Sequence, residues 1–214
     1  LSQSPSVIVY TKDDQDRIVS REVLLTGFGG VGHDHGLHAV NFGPDGKLYF
    51  NHGNKGFRVT DKSGKTQQGS SYEPVNTLDG LPALNNADAG FFQGVALRMN
   101  EDGTNFEVLA QNFRNPFEIA VDSFGNVFQT DNDDDGNAWT RLAYILEGGN
   151  YGFRGPGHLA WGTTRSGHFH NEMPGVVPNV LRLGGGSPCG LLIYEGNLLP
   201  AKYHGQPIHA EAGK

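Results

Sequence analysis

The densest cluster of acidic side chains lies in residues 131–137, whose sequence is DNDDDGN. Carboxylates crowded in this way repel one another and cannot pack unpaired in an apolar core. Asp131, Asp133, Asp135 and Gly136 match D-x-D-x-D-G, the first half of a calcium-binding loop, in which alternate carboxylates converge on the ion. Either a hard cation or solvent must therefore surround these side chains.

The remainder of the loop does not follow the EF-hand pattern. Its twelfth position should be a bidentate Glu, but this chain has Leu142 there, and no helices are predicted on either side. A calcium site would thus take its other oxygens from elsewhere on a β-rich scaffold. We predict calcium at Asp131, Asp133, Asp135 and Asn137, with a solvated acidic turn as the alternative.

A predicted hairpin leads into this loop. Phe117, Ile119 and Val121 alternate with other residues in the period of two that is typical of a half-buried strand, and the turn SFGN precedes a returning strand. Further strands are predicted at 7–10, 22–26, 37–42, 47–52, 95–99, 107–110, 190–194 and 208–212.

These strands suggest a repeat. The turn glycines Gly46 and Gly125 hold matching places in two units of four strands, and the four-stranded antiparallel unit is the blade of a β-propeller. We therefore predict an all-β fold and one partial propeller domain over residues 1–214, with two to four blades. A polar insertion is expected at about 54–93 and a loop-rich segment at about 154–189.

Composition excludes several classes of protein. The net charge of −7 argues against a nucleic-acid partner, and no apolar run approaches the roughly 20 residues that span a bilayer. The 32 glycines and 11 prolines among 214 residues favour a turn-rich β protein. The single Cys189 is expected to be a small buried side chain, and both ends of the chain suggest a piece of a longer protein.

Three motifs in order carry a family resemblance: FRNPFEIAVDSFGNVFQTDN, EGGNYGF and SPCGLLIYEGNLLPAKYHGQPIH. Together they resemble the soluble glucose/sorbosone dehydrogenase family of quinoprotein β-propellers, which implies a six-bladed propeller for the whole protein. The segments DNDDDGN and GHFHNEMPGVVPNVLRLGGGSP are more similar to one branch, the "membrane-bound dehydrogenase domain" propellers of planctomycete-like bacteria, often fused to a haem domain.

The resemblance implies oxidation of a sugar or polyol hydroxyl by pyrroloquinoline quinone (PQQ) with calcium. The family's general base falls on His35, and its Arg-Asn cofactor contact falls on Arg114 and Asn115. An imidazole suits the removal of an alcohol proton, and a guanidinium suits negative charge on a reduced quinone. A haem domain or cytochrome is implied as electron acceptor, and a periplasmic or extracellular location is expected.

Other roles for these residues stay open. His35 could make a structural hydrogen bond or bind a metal with His33 and His38, and Arg114 could clamp blade carbonyls. The chain departs from the family at Arg141, where an acidic residue is usual, and at 181–186, where a glycine run replaces an aromatic residue. A non-catalytic calcium-stabilised propeller that binds glycan or protein, and a metal-dependent lactonase-type hydrolase, are the competing functions.

Overall fold

The computed structural model describes residues 1–70, 90–132, 139–155 and 169–212. Apart from one short 3-10 turn at Ala201–Tyr203, the regular structure in these residues is β-strand, as the sequence predicts. The strands are β1 Ser2–Gln3, β2 Ser6–Lys12, β3 Ile18–Thr26, β4 Leu37–Phe42, β5 Leu48–His52, β6 Phe57–Thr60, β7 Thr66–Ser70, β8 Phe91–Phe92, β9 Gly94–Met99, β10 Glu107–Phe113, β11 Asn115–Val121, β12 Val127–Asn132, β13 Arg141–Tyr144, β14 Gly149–Asn150, β15 Leu181–Arg182, β16 Pro188–Tyr194 and β17 Gln206–Glu211.

Two of the sheets have the form of propeller blades. In blade one the order is β4-β5-β9-β10, antiparallel throughout, with β14 added in parallel at the outer edge. In blade two the order is β11-β12-β13-β15. The hairpin β16-β17 begins a third unit, and β11 packs against β4, β5 and β16. The first strands of the three units are therefore neighbours.

The strand grouping differs from the one that the sequence predicts. The hairpin β9-β10 completes blade one by pairing β9 with β5, although about 40 residues separate them in sequence. The sequence grouping instead places 95–99 in a new unit. Pairing across a long insertion leaves no local signal in the sequence. The fold tolerates the insertion because the closure cost of a loop grows only slowly with its length.

One type of turn closes the main hairpins. In each, a glycine with positive φ follows a short polar run, and its N–H bonds back to the carbonyl three residues earlier. Only glycine adopts this conformation at little cost, and an Asp or Asn side chain often accepts backbone N–H groups in the same turn. The turn glycines are Gly46, Gly64, Gly103 and Gly125.

The apolar core lies on both faces of blade one. On one face Phe28, Phe50, Phe57 and Phe106 pack as an aromatic cluster with β3 and β9 residues around them. The other face packs against blade two through a second cluster, formed by Tyr49, Ala96, Leu109, Ala110, Phe113, Ile119, Val127, Ala143, Ile145 and Tyr151. This inter-blade packing fixes β4 and β11 side by side.

Part of the predicted insertion and the environment of Cys189 differ from what the sequence predicts. Residues 57–70 form the hairpin β6-β7, and the fully buried Phe57 belongs to the core, so this part of the predicted insertion is not a surface loop. Cys189 is exposed at the start of β16, and the expectation of a buried thiol is wrong. None of the described residues forms a helix long and apolar enough to cross a membrane.

Candidate functional site

The starts of β4 and β11 bring the predicted site residues together. His35 precedes β4 by two residues and Arg114 lies immediately before β11, and both are only 9% exposed. Because β11 packs against β4, residues about 80 positions apart in sequence meet at one place. The positive charge of Arg114 is close enough to lower the pKa of His35.

His35 is held in a single tautomer. Its Nδ1 lies 2.6 Å from Oδ1 of Asn54, which is 8% exposed. An amide oxygen only accepts hydrogen bonds, so Nδ1 carries the proton and Nε2 keeps its lone pair. Burial is the largest cause that lowers the pKa of His35, with a smaller lowering from Arg114 and a raising effect from the Asn54 bond. The imidazole is thus kept neutral, with the lone pair of Nε2 unprotonated.

A second histidine connects the two strands. His38 Nε2 lies 3.1 Å from Oδ1 of Asn115, so the ring donates across from β4 to β11. The ring also stacks at a tilt on Phe117, with 4.8 Å between centroids. Burial lowers the pKa of His38, and the bond to Asn115 opposes that effect.

Gly53 makes this close approach possible. A Cβ atom at this position would lie 2.4 Å from the carbonyl oxygen of His35 and 2.7 Å from Oδ1 of Asn115. Both distances are far below van der Waals contact, so only glycine fits between the two site residues. His35 and Asn115 therefore contact the same short stretch of backbone after β5.

Asp131 has a different environment from the one that a calcium ligand needs. Its Oδ1 accepts the backbone N–H of Asn115 at 2.9 Å, and its Oδ2 accepts that of Arg114 at 3.2 Å. Its Oδ2 also contacts Arg141, at 3.1 Å from Nε and 2.7 Å from Nη2. A buried guanidinium, rather than a cation from solution, neutralises this carboxylate. The other predicted ligands, Asp133, Asp135 and Asn137, lie outside the described residues.

Arg141 is the largest fully buried side chain in the described parts of the chain. Its Nη1 donates to the carbonyl of Tyr151 at 2.6 Å and to Oδ1 of Asn179 at 3.2 Å. Its guanidinium carbon lies 3.7 Å from the ring centre of Phe169 and 5.2 Å from that of Phe113. Burial lowers the pKa of Arg141, while Asp131 raises it.

No metal site forms from the residues that the structure describes: within them, no three His, Cys, Asp or Glu side chains are grouped so that they could hold an ion. His33 does approach His35, with ring centroids 5.0 Å apart, and its Nδ1 accepts the backbone N–H of His35 at 3.0 Å. This contact shapes the loop before β4. Trp139 stacks on Arg182, whose guanidinium carbon is 3.5 Å from the ring centre.

Sequence reasoning does not identify Asn54, Gly53 or the Asp131–Arg141 pair. Asn54 and Gly53 follow β5 in HGN, a stretch that has no recognised motif. Arg141 is noticed only as a departure from the family pattern. Its pairing with Asp131 follows from strand register, since the two residues are direct partners between β12 and β13.

Comparisons with known proteins bear on the fold. The model of one family, "Domain of unknown function (DUF7133)", matches residues 1–214, whereas no curated protein matches the chain significantly. The PQQ-bound form of an aldose sugar dehydrogenase from Streptomyces coelicolor is 19% identical with a TM-score of 0.55, and the match covers 89% of this chain and 50% of that one. An oxidoreductase described as a glucose dehydrogenase, from Thermus thermophilus, is 21% identical with a TM-score of 0.50, covering 90% and 57%.

At these identities the likeness shows the fold. The chain has the all-β, propeller-type architecture of both solved structures, as predicted from its strands. It spans about half the length of the Streptomyces protein and 57% of the Thermus protein. The sheets of this chain therefore correspond to part of such a propeller.

Proposed function

Because the chain belongs to the DUF7133 family, whose function is unknown, its activity has to be inferred from its own residues, and we propose that it carries the site of a PQQ-dependent-type dehydrogenase. The substrate is a sugar or polyol hydroxyl. The observation that carries this proposal is the buried His35, whose Nδ1 is held by Asn54 so that Nε2 keeps its lone pair, and whose pKa the positive charge of Arg114 helps to lower.

The residues suit the removal of a proton from an alcohol. A general base needs an unprotonated nitrogen at neutral pH, and both the tautomer and the lowered pKa of His35 meet this need. Asn54 holds the ring in place from the other side. The guanidinium of Arg114 suits the negative charge of a reduced quinone.

The donor set also suits PQQ. When bound, this cofactor supplies an ortho-quinone that takes up the hydride from the carbinol carbon. Its carboxylates and quinone oxygens are acceptors, and Arg114, His33 and the amide of Asn115 are side chains that can donate to such groups. Structural likeness to the PQQ-bound Streptomyces enzyme supports the choice of cofactor.

The proposed calcium site is less well matched to the residues described. Asp131 is already neutralised by Arg141, so the carboxylates that could hold calcium are Asp133 and Asp135, with the oxygen of Asn137. We include calcium as a stabilising ion of this loop and assign it no part in proton removal. A haem domain or cytochrome as electron acceptor, and a periplasmic or extracellular location, complete the proposal on the family resemblance.

Reconstitution tests the enzyme proposal. Full-length protein is incubated with PQQ, with and without calcium, and dye-linked oxidation is measured over a panel of aldoses and polyols. The proposal predicts PQQ absorbance in the desalted protein and dye reduction that disappears in His35→Gln. Protein that is folded by circular dichroism but retains no PQQ and reduces no dye with any of these substrates would reject it.

A second candidate is a non-catalytic propeller that binds glycan or protein. A flat cofactor ring needs an aromatic or apolar cover, and the chain has a glycine run at the place where the resembling family has an aromatic residue. Trp139 is less available as a substitute, because its ring already stacks on Arg182, and this favours the non-catalytic candidate. Thermal stabilisation by calcium, together with no effect of PQQ on the melting temperature, is the result that this candidate predicts.

A further inference from the structure

The structure assigns a positioning role to a pair of residues behind the site. We propose that Asp131 and Arg141 together fix the peptide that joins Arg114 to Asn115, so that a guanidinium group of the chain itself, rather than a metal ion, organises this end of the site. The inference rests on the proposed function, because that function defines the site. The effect of the pair on the Arg114–Asn115 peptide can nevertheless be measured in cofactor-free protein.

Arg141 is anchored on every side. Both it and Asp131 are 0% exposed, and the guanidinium donates two hydrogen bonds to one carboxylate oxygen. Its Nη1 donates to the carbonyl of Tyr151 and to Oδ1 of Asn179, and the ring of Phe169 covers one face. A guanidinium with these contacts has little conformational freedom, so the carboxylate that it binds has little conformational freedom as well.

Asp131 transmits this rigidity to the site. Its two oxygens accept the consecutive N–H groups of Arg114 and Asn115, at 3.2 and 2.9 Å. A carboxylate that receives two successive amides fixes the plane of the peptide between them. The side chains that leave this peptide are the guanidinium near His35 and the amide that contacts His38.

The same contacts explain why a metal ion is not needed at Asp131. Oδ2 already accepts three N–H groups, two of them from a full positive charge. A second cation at this carboxylate would be repelled by Arg141 in a site from which water is excluded. The resembling family usually has an acidic residue at position 141. This chain has Arg141 there, and its positive charge neutralises Asp131.

A purely structural role for the pair makes a different prediction from a positioning role. Burial lowers the pKa values of both His35 and His38, so general loosening of the fold raises both of them. Displacement of the Arg114–Asn115 peptide has opposite effects on the two rings. Removal of the Arg114 charge raises the pKa of His35, whereas loss of the Asn115 contact lowers that of His38.

Arg141→Lys is the sharpest variant, because it keeps the positive charge but loses the forked pair of hydrogen bonds. The imidazole resonances of cofactor-free full-length protein are titrated by NMR in the wild type, in Arg141→Lys and in Arg98→Lys. Arg98 is a matched control, because it is an arginine of blade one that pairs with Glu107 at 2.9 Å and with Glu147 at 3.0 Å. The other charged and titratable groups that act on His35 and His38 are Asp34, His33 and His52, and none of them is changed.

The positioning role predicts that Arg141→Lys raises the pKa of His35 and lowers that of His38, while Arg98→Lys changes neither. Parallel shifts of both rings, or no shift in a folded variant, would overturn it. If Arg141→Lys does not fold, a measurement on the wild-type protein still tests the inference.

The backbone amides of Arg114 and Asn115 should exchange slowly with solvent in chelator, and their NMR resonances should not move when calcium is added. Fast exchange or a large calcium-dependent shift contradicts the inference.

PQQ binding to the wild type is measured separately. Failure to bind would reject the proposed function, but the titration and the amide exchange are performed without cofactor and would still decide whether the pair positions this peptide.

Discussion

Nδ1 of His35 lies 2.6 Å from Oδ1 of Asn54, and both side chains are buried beside the peptide of Gly53. An amide partner orients the imidazole as a carboxylate would, but it adds no negative charge. The ring is therefore fixed in the tautomer that leaves Nε2 basic, while burial and Arg114 keep its pKa low. Such an imidazole is ready to accept a proton over a wide range of pH.

Asn54→Asp should raise the pKa of His35, because a carboxylate next to Nδ1 stabilises the imidazolium. A base must be neutral to act, so the acid limb of kcat/KM for sugar oxidation should move to higher pH by the same amount. An NMR titration of His35 and a pH–rate profile check the two shifts. Asn54→Leu is the companion variant: it removes the orienting acceptor and should lower the rate without moving the limb to higher pH. An unchanged pKa in folded Asn54→Asp would contradict this account of the site.

Gly53→Ala should disturb the site directly. The new Cβ would clash with the carbonyl of His35 and the amide of Asn115, at 2.4 and 2.7 Å. We expect a loss of about 1–3 kcal/mol in the free energy of unfolding, as for other overpacked positions, and weaker PQQ binding. Gly184→Ala is the control, since a Cβ there meets no atom within 4 Å among the described residues. Urea denaturation and PQQ titration of both variants give the comparison, and equal behaviour would show that the approach at Gly53 is not tight.

The sequence predicts more of the fold than of the site. Strands such as β4, β5 and β9 are found within a residue or two because alternation and turn glycines are local signals. The short strands β6 and β13 are not predicted from the sequence. Blade one could not be assembled from sequence, because β5 and β9 pair across the intervening hairpin and residues outside the described parts of the chain.

The site shows the same division between local and non-local information. His35, Arg114 and Asn115 are predicted as site residues because a family pattern exists for them, and in the structure they lie in one region. Asn54 has no such pattern and is recognised only by its contact with His35. The carboxylate of Asp131 belongs to a calcium-like motif in sequence, yet strand register puts Arg141 directly opposite it. A sequence motif cannot show which cation, a metal ion or a guanidinium of the chain, pairs with a carboxylate in the folded protein.

Stability should fall in acid partly through His52. Burial lowers the pKa of this imidazole to about 4 in the folded protein, from 6.5. As the pH falls below 6.5, the unfolded chain takes up the proton first, so the folded state loses stability between pH 6.5 and 4 and keeps it fully above that window. The loss from this one group is at most about 3 kcal/mol.

His52→Gln removes the titrating group and keeps a donor for the carbonyl of Gly29, which His52 Nε2 contacts at 3.1 Å. Its free energy of unfolding, measured by urea denaturation at several pH values, should decrease less steeply between pH 6.5 and 4 than that of the wild type. Part of the slope will remain, because burial also lowers the pKa values of His35 and His38. His204→Gln, at an exposed position, is the control for loss of an imidazole. A wild-type slope in His52→Gln would contradict the assignment.

Calcium and Arg141 should act on different carboxylates of the acidic segment. If Asp133 and Asp135 hold calcium, the ion raises the melting temperature of the wild type, and Asp135→Asn abolishes that increase. Asp134→Asn removes the same charge at a position that the D-x-D-x-D pattern does not use, and it should keep the increase.

Asp131→Asn leaves Arg141 without its buried partner and should cost about 3–5 kcal/mol of stability whether or not calcium is present. Melting curves of the three variants in chelator and in calcium give the answer. A calcium-dependent increase that is lost in Asp131→Asn but retained in Asp135→Asn would mean that the ion, and not the guanidinium, is the partner of Asp131.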